Sequence, residues 1–287
     1  FPPTSRENTE PLWSSPYTLT LSALNSWIAE EVRLTGLEVG VSHETVRDEL
    51  VAAVTVFGAN DSSGALLAWR GWALGDRLSS VGEDLPLPPL PTLQPGGAFG
   101  KQRAEGTRPV DELDDRPGFQ ARARWRRQDV ALVQASWLDN RGDRGLHDGQ
   151  YAWRTRMLSL GGEAHVGSRF VLVAEAARGD TGMGVETGPH VDLDFTAGYV
   201  LASWRAGGVR FSARYDRFEN RDRDGTAEPD QEDGEALTVA LLWEPTTHLR
   251  LGVEGLRLWN DRPAAASAAA GEDLDAKRLV AELRIRF

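Results

Sequence analysis

The sequence contains no cysteine. That removes disulfide scaffolds, zinc ribbons, thiolate metal centres and cysteine nucleophiles, and leaves the compartment open. Lysine is almost missing as well. Lys101 and Lys277 are the only two, so arginine supplies the rest of the 32 basic residues. Either a coding bias or a use for rigid, permanently charged guanidinium groups would produce this. A net charge of −11 over 287 residues argues against a nucleic-acid binder, which would carry a basic stripe. No apolar run approaches the ~20 residues of a transmembrane helix, and mean hydropathy is −0.39. Taken alone, these absences describe a water-soluble protein. The 40% of hydrophobic residues are nonetheless enough to fold around, and their arrangement points elsewhere.

That arrangement has period two. In the last segment, Leu279, Ala281, Leu283, Ile285 and Phe287 share one face, and Arg278, Val280, Glu282, Arg284 and Arg286 the other. Phe119, Ala121, Ala123 and Trp125 alternate with Gln120, Arg122, Arg124 and Arg126. Val209, Phe211, Ala213 and Tyr215 alternate with Arg210, Ser212, Arg214 and Asp216. Val191 to Leu201 and Leu249 to Val253 repeat the pattern, against Asp192, Asp194 and Thr196 and against Arg250 and Glu254. These are strands with one apolar and one charged face.

A soluble β-sandwich would alternate too, so strand length and loop rhythm have to decide. Several segments run ten residues or more, which suits a tilted membrane strand. Long connections (139–150, 178–190, 219–234, 259–276) alternate with short ones (127–128, 164–167, 205–208, 244–248). A transmembrane β-barrel with short periplasmic turns and long extracellular loops produces that rhythm. Trp125 and Trp243 beside short turns, and Trp137, Trp153 and Trp259 beside long loops, would form the two interfacial girdles. The fold class expected is therefore all-β, an antiparallel transmembrane β-barrel forming a single domain over 1–287. About thirteen strands are counted, at 17–25, 31–42, 49–58, 64–74, 117–126, 129–138, 151–163, 168–178, 191–204, 208–218, 235–244, 248–259 and 276–287. Single-chain bacterial barrels have even strand numbers, so the odd tally suggests part of a 14–18-strand barrel lacking N-terminal strands. The Pro- and Gly-rich stretch 75–117 lacks alternation and reads as a long loop.

With its terminal aromatic, Leu279-x-Ala281-x-Leu283-x-Ile285-x-Phe287 resembles the last strand of Gram-negative outer-membrane barrels, the porins more than the small eight-strand barrels. The resemblance implies several things. Residence would be in the outer membrane, among its lipid and lipopolysaccharide. Leu283, Ile285 and Phe287 would be an assembly signal read by the barrel-assembly machinery. The function would be a porin-like channel for small hydrophilic solutes. A homotrimer is admitted, and 75–117 would be a loop that folds inward and narrows the pore.

If apolar faces meet lipid, the polar faces line the lumen. The pore-lining set is then Arg122, Arg124, Arg126, Arg210, Arg214, Arg250, Arg284, Glu175, Asp194, Glu254 and Glu282. Ladders of Arg favour anions, whereas Arg and acid in comparable numbers could instead form an internal salt-bridge network that holds the wall or plugs it. The stretch Arg221–Glu235 holds seven acids and two Arg, so long acidic loops serving as a surface-binding platform are the rival to a channel. No cofactor or metal is implied: Asn220, Asp222, Asp224 and Gly225 begin a calcium-loop pattern that fails at Gln231, and the five His form no zinc pair. No Gly-x-Ser-x-Gly elbow is present, so the expectation is a protein without enzymatic activity.

Overall fold

A computed structural model describes residues 16–30, 32, 34–72, 83–102, 106–108, 110–185, 187–225, 230–263 and 273–285. Eleven strands form one antiparallel meander in which each pairs with its sequence neighbours. They are β1 (Thr35–Glu44), β2 (Asp48–Gly58), β3 (Gly118–Arg127), β4 (Ala131–Asp139), β7 (Arg154–Val166), β8 (Phe170–Gly184), β9 (His190–Ala206), β10 (Val209–Asp222), β11 (Glu232–Thr246), β12 (Leu249–Asp261) and β13 (Asp273–Ile285). A two-residue hairpin, β5 (Leu146–His147) and β6 (Gln150–Tyr151), sits in the connection between β4 and β7. β1 and β13 are the edges of the sheet, and no ladder joins them among the described residues.

The loop rhythm is real. At one end the strands are joined by two- or three-residue turns, where Asp129 and Gly207 take positive φ. The connections at the other end are longer, up to residues 59–117. The 178–190 connection shrinks to five residues, 185–189, because β8 and β9 run on for 15 and 17 residues.

Two of the thirteen expected strands are helices. Residues 17–25 lead into α1 (Ala23–Glu30), and 64–74 holds α2 (Ala65–Trp69). The Ser22 hydroxyl accepts the Asn25 backbone N–H at 3.2 Å, which is an N-cap bond to the third helical residue. Leu24, Trp27 and Ile28 then recur at helical spacing and are buried together. At Gly64, just before α2, φ is +111°, a conformation that costs a Cβ-bearing residue dearly.

The sheet has one apolar face turned outward. Leu37, Val39, Val41, Val54, Leu158, Leu160, Val200, Leu237, Val239, Leu241, Val253, Leu279, Leu283 and Ile285 are exposed at 40–79%. Adjacent strands carry them side by side, as in Leu37↔Val56, Leu241↔Val253 and Val253↔Ala281. An apolar surface this continuous exceeds what a water-soluble monomer tolerates. At the short-turn end it is edged by Trp125, Trp204, Phe211 and Trp243. Toward the long-loop end it stops at a collar of outward ion pairs. These are Arg156–Asp180 at 3.0 Å, Arg223–Asp194 at 2.8 Å, Arg257–Asp275 at 2.8 Å, and Arg217 with Asp233. Tyr215 donates to Glu235 at the same level. Polar side chains fill the opposite, concave face: Thr55, Gln120, Gln134, Ser136, Ser159, Glu175, Ser203, Ser212, Arg214, Asp216, Thr238 and Glu254 are buried.

Candidate functional site

The concave face holds the site, and the chain's own segment 17–30 occupies much of it. The segment rises along the inner wall from the short-turn end toward the long loops. Tyr17 lies under the Arg210 guanidinium, 5.0 Å from ring centroid to charge. Next, the Glu254 carboxylate of β12 accepts the backbone N–H of Leu19 (2.6 Å) and Thr20 (3.1 Å), and the Thr20 hydroxyl (2.5 Å). Arg214 of β10 donates to the carbonyls of Thr20 (2.7 Å) and Leu21 (2.8 Å) and pairs with Asp216 at 2.8 Å. Asp216 accepts the Ala23 N–H, and Asn25 donates to Glu175, which Tyr199 also bonds at 2.7 Å. Trp27 then packs edge-on against Phe195 (4.9 Å) and Trp72 (5.8 Å). Arg214, Asp216 and Glu254 are fully buried. Ions so far from water persist because each is given charge-assisted hydrogen bonds, worth roughly 1.5–3 kcal/mol apiece.

A strap, residues 59–72, crosses the inside of the sheet at the long-loop end. It begins near β4, where Asn140 donates to the Asn60 carbonyl (2.9 Å) and Ser63 accepts from Thr155 (2.7 Å). It ends near β12: Asn220 donates to Leu67 O, Trp72 donates to Asn220 and Glu232, and Arg262 donates to Ala68 O. The 75–117 stretch is a folded loop where described. Leu85, Leu87, Leu90, Leu93 and Phe99 bury against Trp69, Trp153, Met183 and Val191, and Leu85 forms a bridge to Thr107.

The edge strands present a different inner surface. All ten residues of β1 are exposed, and no described side chain of β13 is buried. Arg122 pairs with Glu38 at 2.6 Å and Arg124 with Glu49 at 2.9 Å, all four partly open to solvent. Arg126 stands exposed at the short-turn rim. Glu282 of β13 takes Arg250 (2.9 Å) and Arg284 (2.8 Å).

Ten of the eleven expected lining residues therefore stand on the concave face, in two environments. Arg210, Arg214, Glu175 and Glu254 hold the axial segment; Arg122, Arg124, Arg126, Arg250, Arg284 and Glu282 line or adjoin the edge-strand side. Asp194 is a correction. It points outward and pairs with Arg223, because β9 turns its apolar residues Leu193, Phe195, Ala197 and Leu201 inward onto α1 and the strap. Trp153 is a second correction, buried in the loop core 5.1 Å from Trp69 and absent from any girdle. Leu283 and Ile285 face outward on β13, and Phe287 lies outside the described residues.

One constellation escaped sequence reasoning. Carboxylate oxygens of Asp61, Glu112 and Asp114 come within 4.8 Å of one another. Asp61 accepts the amides of Leu113 and Asp114, Glu112 accepts Ala59, and Asp114 accepts Asp143 and Arg116. The cluster ties the strap to two other loops. Burial pushes the Asp61 carboxyl up to about 7, against the pull of the Leu113 amide and aided by the charges of Asp114 and Glu112. Nothing in the local sequence brings residues 61 and 112 together; only the return of the long loop does.

Long antiparallel strands, a continuous apolar exterior edged by aromatics and ion pairs, and a polar interior are the inside-out design of a wall built to stand in lipid. The fold is that of a transmembrane β-barrel wall. No model of a known protein family matches the chain, and no curated protein is similar to it. Among solved structures it is similar to the outer membrane channel DcaP of Acinetobacter baumannii, with a TM-score of 0.43 and 11% identity over 90% of this chain and 86% of that one. It is also similar to OmpT, an outer membrane protein of Vibrio cholerae folded in vitro. The trimer form gives a TM-score of 0.41 and 12% identity over 87% of this chain and 91% of that one. A further OmpT structure gives 0.41 and 13% identity, over 87% and 89%.

Proposed function

We propose that the chain is a porin-like channel through which small hydrophilic solutes diffuse passively, with a preference for anions and no enzymatic step. The observation that carries this reading is the partly solvated charge ladder on the edge-strand side. Arg122, Arg124, Arg126, Arg278 and Arg284, together with a buried Arg250, face Glu38, Glu44, Glu49, Glu254 and Glu282, and Glu254 is already given to the axial segment. A modest cationic excess in a low-dielectric wall raises local anion concentration. Swelling of liposomes carrying the protein tests the channel, and sugar entry is expected. The reversal potential in a KCl gradient tests the preference, which is expected to favour chloride.

A second reading rests on the filled β8–β12 side and the strap across it: a barrel without an open pore, presenting acidic connections such as 223–231 to a partner. Liposomes that stay tight to every sugar would favour it. Lipopolysaccharide, the assembly machinery and a homotrimer remain partners of the proposed setting.

A further inference from the structure

The axial segment differs from every wall strand in how it is held. β10, beside it, is registered to β11 at twelve positions and to β9 at fourteen. The segment pairs with no strand of the sheet. Its backbone is satisfied largely by three wall side chains: Glu254 takes the amides of Leu19 and Thr20, Asp216 takes that of Ala23, and Arg214 bonds the carbonyls of Thr20 and Leu21. Its apolar contacts gather at its two ends, where Tyr17 packs with Val173, Tyr199 and Leu201 and where Trp27 of α1 meets Phe195 and Trp72. Between Tyr17 and Ala23 the side chains nearest the clasp are Thr18, Thr20 and Ser22, small and polar, which can exchange wall contacts for water at little cost.

We propose that residues 17–30 are a plug seated in the lumen by the Glu254–Arg214–Asp216 clasp, and that the seating of this plug sets the conductance. With the plug seated, passage is confined to the edge-strand side. With it released, the β8–β12 wall is exposed to solute. The clasp can let go as a unit because its three groups act within one short stretch, on Leu19, Thr20, Leu21 and Ala23. Losing Glu254 frees two amides and one hydroxyl at once. The inference rests on the channel reading and adds to it the element that limits flow.

The test uses the cysteine-free background. Ser22→Cys places a near-isosteric thiol at a position that is fully buried when the plug is seated. Labelling by a membrane-impermeant maleimide is measured in vesicles with the otherwise unaltered chain and again with Glu254→Gln or with the milder Thr20→Ala. Single-channel conductance in planar bilayers is read for the same proteins, and retained strand content by circular dichroism selects the variants that fold. The expected result is labelling accelerated at least tenfold and conductance raised at least twofold by Glu254→Gln, with smaller changes in the same direction for Thr20→Ala. Faster labelling with unchanged conductance would overturn the plug while leaving the channel standing. Labelling that stays slow in both folded variants would overturn the clasp. Absence of conductance in every protein, with faster labelling, would overturn the channel reading and this inference with it.

Discussion

The inner wall has two halves with similar residues and different fates. On β8–β12, arginines and acids are buried and committed to the chain itself: Arg214 and Asp216 have no exposed side-chain surface. On the edge strands, Arg122 and Glu38 make a pair of similar length whose side chains remain 14% and 34% exposed. The difference teaches that charge in a strand pattern does not by itself define a pore. What matters is whether another segment arrives to take up the hydrogen bonds. Where the axial segment lies, guanidinium groups serve as clamps. Where no described segment lies over them, they stay partly open to solvent.

Breaking a buried ion should therefore cost far more than breaking a half-exposed one. Arg214→Ala leaves Asp216 uncompensated and the Thr20 and Leu21 carbonyls without their donor, and is expected to destabilise by about 3–5 kcal/mol. Arg122→Ala should cost about 1 kcal/mol or less. Urea unfolding in lipid vesicles, followed by tryptophan fluorescence, checks both. Equal costs would erase the distinction between the halves.

The outer wall offers a comparison of the next size. Leu241→Arg, in the apolar band, should cost about 2–4 kcal/mol, and Thr196→Arg, at the charged collar, about 0–1 kcal/mol. The same unfolding experiment reads the difference, and a reversed order would misplace the membrane boundary.

Selectivity should respond on one half only. Arg124→Glu is expected to move the reversal potential toward cations by several millivolts, whereas Arg210→Gln, beside Tyr17 and the axial segment, should leave it nearly unchanged. Bilayer recordings in asymmetric KCl decide this.

A pH effect is expected in the strap. Asp61 titrates near 7 in the fold against 3.8 for the unperturbed carboxyl. Between those values the folded chain holds a proton that the unfolded chain has released, so stability falls as pH rises from about 4 to 7. Asp61→Asn should flatten that slope, seen as a smaller difference in melting temperature between pH 5 and pH 8. An unchanged slope would assign the pH dependence to other groups.

Much of this was legible in the sequence. Alternation located all eleven sheet strands, and the rhythm of turns gave their order, because a strand facing two media must change polarity at every residue. Which face met which medium was less legible. β9 alternates as cleanly as β11, yet turns its apolar residues inward, since α1 and the strap supply an apolar surface for Leu193 and Phe195. Asp194 was misplaced for this reason. The helix at Ala23–Glu30 did leave a signal, Ser22 followed by Asn25 with Leu24, Trp27 and Ile28 on one face, but the apolar spacing around it also fitted a short strand. The acidic cluster at Asp61 had no local signature at all, since about fifty residues of loop separate its members.

Thiol accessibility compares the two halves most directly. Ser42→Cys, on the inner side of β1, and Ser212→Cys, on the inner side of β10, are matched substitutions at an exposed and a fully buried position. A small charged methanethiosulfonate applied to the conducting protein should modify residue 42 within seconds and reduce the current, while residue 212 stays unmodified and the current is unchanged. Rapid modification at 212 with none at 42 would contradict the account.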